Sequence, residues 1–336
     1  MLIKGRWAKN FHPVHDTDEE GGFVREDAGF RSWITPDGSA GPTGEAGFRA
    51  EAGRYHLYVA LICPWASRTL MARTLKGLEQ VVPVTVVDPR LTDKVWHFGG
   101  NSQSYPGAEA DPLYQFEYVY ELYLRARPDY SGQVTVPVLW DKKTQTIVNN
   151  ESSEIIRMFN SGFGDLADDR MDLYPEHLRA DIDTINRRLY HRFNNGVYRA
   201  GFATTQAAHE RAVKDVFDSM EFIEQQLEGR HYLAGNRFTE ADIRAFVTLI
   251  RFDLAYYGLF KTNLKRAQDY PNINAYLQRI YRLPGIDKTV NPEHIKAGYY
   301  SIRALNPSGI VPGGPVIDWL GSQRSAPGTS NGLRRL

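Results

Sequence analysis

One cysteine, Cys63, stands in a chain of 336 residues, directly after the apolar run His56-Leu57-Tyr58-Val59-Ala60-Leu61-Ile62 and directly before Pro64. The run has the length and the composition of a strand in a parallel sheet. Pro64 suits the first position of a helix, since its φ is already set and it has no N–H to lose. A sulfur at such a junction faces free backbone N–H groups and the positive end of the helix dipole, and both favour thiolate over thiol. A cysteine without that context is more often a small buried hydrophobe. The strand-to-helix position turns the balance toward a nucleophile. With no second cysteine there can be no CxxC pair, no internal disulfide and no cysteine-rich zinc site, so any redox chemistry must use a single thiol.

Two other places have the right residue types for binding. Val136-Pro137 puts a proline in the middle of an apolar, strand-like stretch, Val134 to Asp141. A proline there removes a ladder hydrogen bond and needs an edge, a bulge or a special peptide bond. The backbone of Val136 could then pair with a peptide ligand as a short strand does. Glu151-Ser152 falls at a helix start, where N–H groups and partial positive charge suit a carboxylate. Ser152 can donate its hydroxyl to that carboxylate, and Glu151 can hold an ammonium group. Simple N-capping by Asn150 or Ser152 is the plainer reading of the same residues.

The elements that would position these groups follow from the periodicity. After the Cys63 helix, continued with helical spacing through Arg68 to Leu75, Val81 to Asp88 reads as a second β-branched strand. Val134–Asp141 and Thr146–Val148, joined by a polar turn, read as a hairpin, and a helix follows from Asn150 through Phe159. The order βαβ…ββα is that of a thioredoxin-like domain over residues 51–165, with a long insertion at about 90–130 that contains a helical stretch from Leu113 to Leu124. In such a domain the proline of Val136-Pro137 is cis and lies beside the active cysteine. From about 174 to 290 the pattern changes to long helices: Leu178 to Arg192, Thr204 to Leu227, Thr239 to Tyr257 and Tyr270 to Arg282. Thr239-Glu240-Ala241-Asp242 opens the third as a capping box. Residues 1–50 read as an extended arm with no fold of their own. Residues 291–336 read as a Gly/Pro-rich irregular tail, disordered at its end.

Composition narrows the classes. Forty Lys and Arg balance forty Asp and Glu, which gives no basic footprint for nucleic acid. No apolar run approaches the roughly 20 residues that span a bilayer, and charges interrupt the N-terminus before any signal-like core forms. A lone cysteine suits a reducing cytoplasm. With 19 Tyr, 16 Phe and 6 Trp, the chain could supply a pocket that stacks an aromatic ligand, as well as a ring-rich core.

The strand–Cys63-Pro64-Trp65-Ala66–helix unit, the block TVPVLWDKKTQTIVNNESSEIIR (135–157) and the helical second half together resemble the glutathione transferases. The blocks NNGVYRAGFATTQ (194–206), RFDLAYYGLFKTN (251–263) and IKAGYYSIRALNPSGIVPGGP (295–315) narrow the resemblance to the xi class, the glutathionyl-hydroquinone reductases. It covers about 35–315. The resemblance implies a thioredoxin-like α/β domain followed by an all-α domain, glutathione as co-substrate, no metal, and a homodimer. It implies that Cys63 attacks the sulfur of a glutathionyl-hydroquinone and that a second glutathione resolves the mixed disulfide. By the family pattern Trp96 packs on glutathione, Val136 and Pro137 meet its backbone, and Glu151 and Ser152 hold the γ-glutamyl end. Tyr198, Tyr256 and Tyr299 match tyrosines that surround the hydroquinone. Gln133 departs from the basic residue usual before VTVPV, and Gly298 and Ile302-Arg303 depart from a His-rich stretch. The alternatives are an omega-like thioltransferase or dehydroascorbate reductase, and a non-catalytic transferase-fold module for protein interaction.

Overall fold

Four strands form the sheet on which the cysteine is mounted: β5 (Tyr55–Val59), β6 (Val84–Val86), β7 (Val138–Asp141) and β8 (Thr146–Asn149). The order across the sheet is β6-β5-β7-β8, with β5 parallel to β6, antiparallel to β7, and β7 antiparallel to β8. Every residue of β5 is buried, as an apolar central strand covered on both faces must be. The β7–β8 turn is built by the Asp141 carboxylate, which accepts from the Lys143 and Thr144 backbone N–H groups and is paired by Arg54 at 2.8 Å. The computed structural model describes residues 1–8, 17–43 and 45–320. The expected disorder at the chain end falls at 321–336, outside the described residues.

The sequence reading of the arm changes. It carries β1 (Leu2–Ile3) paired with β2 (Arg6–Trp7), and β3 (Trp33–Thr35) paired in parallel with β4 (Gly47–Arg49). The Ser32 N–H bonds to the Val148 carbonyl of β8, so the arm is tied to the sheet edge.

Helix α1 (Pro64–Leu75) starts at the residue after the cysteine, with Pro64 in the first helical position. In the insertion only α2 (Tyr120–Ala126) is helical. The expected helix from Leu113 does not form there, because the Asp111 carboxylate accepts from the N–H groups of Leu113, Tyr114 and Phe116. The first two of these are bonds a helix cap would make. The Phe116 N–H is one the helix itself would need, and with it held by the same carboxylate the chain stays in a turn. Helix α3 (Ser152–Arg157) is short and passes into a π-helical turn, Met158–Gly162.

The second half consists of α4 (Arg179–Leu189), α5 (Gly196–Gly201), α6 (Gln206–Gln226), α7 (Glu240–Arg251), α8 (Tyr257–Leu259), α9 (Pro271–Tyr281) and α10 (Pro292–Tyr300). Thr239 and Asp242 form the capping box that their spacing predicts at the start of α7. Two sequence-predicted helices end in π-helical turns, Tyr190–Asn194 after α4 and Phe252–Tyr256 after α7. Such turns add a residue to the ladder and re-aim the side chains that follow.

Helix α10 corrects the reading of 291–336 as an irregular tail. Asn291 caps it by accepting from the His294 N–H at 3.0 Å, and Pro292 takes its first position. The Gly/Pro-rich stretch expected there begins only after the helix ends.

The two halves are joined by buried charge as well as by packing of α1 on α7. Glu240, at the start of α7 and fully buried, accepts from Arg157 of α3, Arg244 of α7 and Asn186 of α4. A buried carboxylate is retained only when its lone pairs are satisfied in this way. One apolar core runs through both halves.

Candidate active site

Cys63 is the residue immediately before α1, in extended backbone conformation (φ −76°, ψ 118°), and the Ser67 N–H closes the first helical bond on its carbonyl. Its side chain is buried, with Sγ 3.5 Å from the Val136 carbonyl oxygen. The Val136–Pro137 peptide bond is cis, as the thioredoxin-like order of elements implies. Burial pushes the Cys63 thiol up. The backbone N–H groups of Ala66 and Trp65 and the guanidinium groups of Arg251 and Arg25 pull the other way. The expected thiolate-favouring donors are therefore present, but desolvation of the charged sulfur outweighs them.

A cleft with a cavity volume of about 200 Å³ opens over Cys63. Trp96, Val136, Pro137, Glu151, Ser152, Tyr198 and Tyr299 all line it with Cys63. Of the nine residues singled out by the sequence, Tyr256 alone is absent from the lining. It is fully buried behind Tyr299. The three tyrosine hydroxyls nevertheless form one chain, with Tyr198 Oη 2.7 Å and Tyr256 Oη 2.8 Å from Tyr299 Oη. Tyr299 is the hub. Burial holds all three phenols protonated, well above the ordinary range for Tyr256 and Tyr299.

Trp96 is held by a tight turn in which Val95 takes φ +65°, and the Thr92 and Val95 backbones bond to each other. A β-branched residue in the left-handed region is unusual and concentrates at functional sites. At α3 the capping differs from expectation. Glu151 itself caps the helix, its carboxylate accepting from the Ser153 N–H at 2.8 Å, while the Glu151 N–H donates to Asn149 Oδ1 at 2.7 Å. Ser152 is buried, with its hydroxyl 3.5 Å from the Arg68 guanidinium.

Three cations near the site escaped the sequence reading. Arg251 lies at the end of α7, almost completely buried, and reaches across to the loop that carries the thiol. It donates Nε–H to the Ile62 carbonyl at 2.8 Å and a terminal N–H to the Leu61 carbonyl at 2.8 Å, and it also reaches Ser67 Oγ at 2.5 Å. Arg68 stacks on Trp65 at 4.2 Å, and burial pushes it down to about 9, still cationic at neutral pH. Arg25 enters from the N-terminal arm. None of the three shows a local sequence pattern. Arg251 lies within the block RFDLAYYG, and Trp65 next to the cysteine is the one nearby hint of a stacking partner.

A thioredoxin-like layer, a cysteine at a strand-to-helix junction beside a cis-proline, and a helical domain closing the cleft define a cysteine-type glutathione transferase. Residues 62–161 match the family model described as glutathione S-transferase, N-terminal domain, and 206–279 match that of the C-terminal domain. The chain is 51% identical over 320 residues to the glutathionyl-hydroquinone reductase YqjG of Escherichia coli, an alignment covering 95% of this chain and 96% of that protein. A glutathione-bound structure of YqjG superimposes with a TM-score of 0.86 at 49% identity, over 95% of this chain and 97% of that one. The xi glutathione transferase of Phanerochaete chrysosporium gives a TM-score of 0.84 at 50% identity, over 89% of this chain and 95% of that one. This chain belongs to the glutathione transferase superfamily and, within it, to the xi class.

Proposed function

We propose that the protein reduces glutathionyl-hydroquinones to hydroquinones at the expense of glutathione. The observation that carries this reading is that one cleft holds both the buried Cys63 thiol beside cis-Pro137 and the Tyr198–Tyr299 hydroxyl pair. A thiol nucleophile and a pair of phenol donors are what a thioether on a hydroxylated ring needs.

In the first step the Cys63 thiolate attacks the glutathione sulfur of the substrate. The Cys63–S bond to glutathione forms as the bond between sulfur and ring carbon breaks. The electron pair goes to the ring carbon, which takes a proton, and hydroquinone leaves. In the second step a glutathione thiolate attacks the mixed disulfide, giving oxidised glutathione and regenerating Cys63 thiolate. Trp96 packs on the glutathione, Val136 with Pro137 meets its backbone, and Glu151 and Ser152 hold the γ-glutamyl ammonium and carboxylate. Tyr198 and Tyr299 donate to the ring hydroxyls, and Tyr256 acts only through Tyr299.

The same reading includes a homodimer in the cytoplasm. Among the described residues no helix is long and apolar enough to cross a membrane.

The test gives wild type and Cys63→Ala a glutathionyl-hydroquinone with glutathione. Wild type is expected to release hydroquinone and to show, by intact mass, an adduct of about 305 Da on Cys63, as thiol exchange requires. Loss of the nucleophile is expected to lower turnover at least ~10³-fold. Unchanged release by Cys63→Ala would sink the mechanism. Comparing kcat/KM on this substrate with that on a simple disulfide or dehydroascorbate separates the proposal from a general thioltransferase. An enzyme that turns over none of these would instead support a non-catalytic module.

A further inference from the structure

The charged side chains lining the cleft are unevenly divided. Glu26, Asp27 and Glu151 are acidic, and Arg25 is the one cation among the described lining residues. Yet the proposed chemistry places negative charge there: a thiolate, and electron density that passes to the ring as the bond between sulfur and ring carbon breaks. We propose that Arg25 is the anion-holding residue of this cleft, stabilising the Cys63 thiolate and favouring ring substrates that carry a negative charge. The proposal rests on the reading of Cys63 as the nucleophile.

Geometry makes the case. Arg25 Nε–H donates to Asn195 Oδ1 of the helical domain at 2.8 Å. Its guanidinium carbon lies 4.7 Å from the Trp65 ring centroid, 5.2 Å from that of Tyr198 and 5.6 Å from that of Phe23. One hydrogen bond and three aromatic faces fix a planar cation in place. Among the described residues it forms no ion pair and makes no second hydrogen bond, so four of its five N–H donors have no described partner. A fixed, half-buried guanidinium without a carboxylate is an incomplete anion site.

Arg251 also draws the Cys63 thiol toward its charged form, ahead of Arg25, but the other charged groups facing Cys63 offer no donor to hold an anion in the cleft. Arg251 of α7 spends its donors on the Leu61, Ile62 and Val247 carbonyls and on Ser67. Arg68 of α1 is buried beneath Trp65. Glu151 before α3 is negative, and Tyr198 of α5 and Tyr299 of α10 are neutral phenols. Arg25 draws both Cys63 and Tyr198 toward their charged forms, and it is the cation that remains partly open to the cleft.

The experiment measures alkylation of Cys63 against pH with neutral iodoacetamide and with anionic iodoacetate, in full-length wild type and Arg25→Gln. Removing an opposite charge from the cleft is expected to move thiolate formation up by a fraction of a pH unit, about two- to threefold less thiolate below it. The iodoacetate-to-iodoacetamide rate ratio is expected to fall severalfold in the same variant. Arg25→Lys is expected to recover part of both, because it returns the charge without the planar fork. Asn195→Ala keeps the charge but frees it, and is expected to lower the ratio. An unchanged pH profile or an unchanged ratio in Arg25→Gln overturns the proposal. Failure of wild-type Cys63 to alkylate at all would instead overturn the reading of the nucleophile.

Discussion

The two walls of the cleft are made in different ways. The sheet-side wall is built from the ends of helices and strands: a residue before a helix, a cis-proline before β7, a cap before α3. Backbone does much of the work there, and each piece is set by its own few neighbouring residues. The helical wall is built from side chains that converge from far apart, Tyr198 from α5 and Tyr299 from α10, with Tyr256 behind them at the end of a π-helical turn. A wall of element ends tolerates change in side chains but not in backbone. A wall of hydroxyls fails one bond at a time.

The largest expected effect comes from breaking the contact between the walls. Arg251→Met leaves the carbonyls of Leu61 and Ile62 and the Ser67 hydroxyl without their buried donor. Groups stranded in this way are expected to cost about 3–5 kcal/mol in urea unfolding. A loss under about 1 kcal/mol would mean the thiol loop is held by packing alone.

The sheet side should also be acid-sensitive. Burial pushes His56 of β5 down to about 4, and its Nε2 lies 2.8 Å from Thr85 Oγ1. The folded state keeps the ring neutral, whereas the unfolded chain protonates it below pH 6.5. The contribution is thus fully present above about pH 6.5 and is lost as pH falls toward 4, up to about 3 kcal/mol. His56→Gln is expected to flatten that dependence, measured as unfolding free energy at pH 7 and pH 4.5. Equal slopes for the two proteins would place the acid-labile group elsewhere.

On the helical wall, Tyr299→Phe removes the hub hydroxyl and strands two others, with an expected loss of about 1–2 kcal/mol, a factor of 5–30 in substrate binding. Tyr256→Phe is expected to cost about 1 kcal/mol in stability and to leave KM unchanged, because Tyr256 does not reach the cleft. A KM effect equal to that of Tyr299→Phe would put Tyr256 in contact with the ring. The smallest effect belongs to Thr205, whose hydroxyl caps α6 by accepting from the Ala208 N–H at 3.3 Å. Thr205→Ala is expected to lower thermal stability by about 0.5 kcal/mol without a change in turnover.

The contrast between the walls also explains what could be read in the sequence. Cys63-Pro64, Val136-Pro137 and the Thr239–Asp242 box were legible because each encodes its own local geometry. Glu151 was placed correctly, but its capping role was not, because acidic and hydroxyl residues beside one another compete for the same N–H group. Helix α10 was hidden by the Gly/Pro-rich stretch that follows it, although Asn291-Pro292 is itself a start signal. The arm strands are two or three residues long, too short for alternation to show. Tyr198 and Tyr299 came from resemblance to a family, and no periodicity distinguishes Tyr299, which lines the cleft, from Tyr300, which does not. Arg25 and Arg251 act on residues nearly 40 and 190 positions away, and a tertiary contact of that span leaves no trace in a local pattern.

The grip of Arg251 on the Leu61–Ile62 carbonyls has a consequence for how this molecule can be taken apart. The thiol is mounted on one domain, but its mount is bolted from the other. The thioredoxin-like half cut away from its helices would carry the cysteine on a loosened loop. A chimera joining that half to another transferase's helical domain would inherit reactivity only if the new domain brings a guanidinium to the same carbonyls. Recombination between relatives is thereby restricted: the domain border is not a free breakpoint, and the setting of the thiol is a property of the pair.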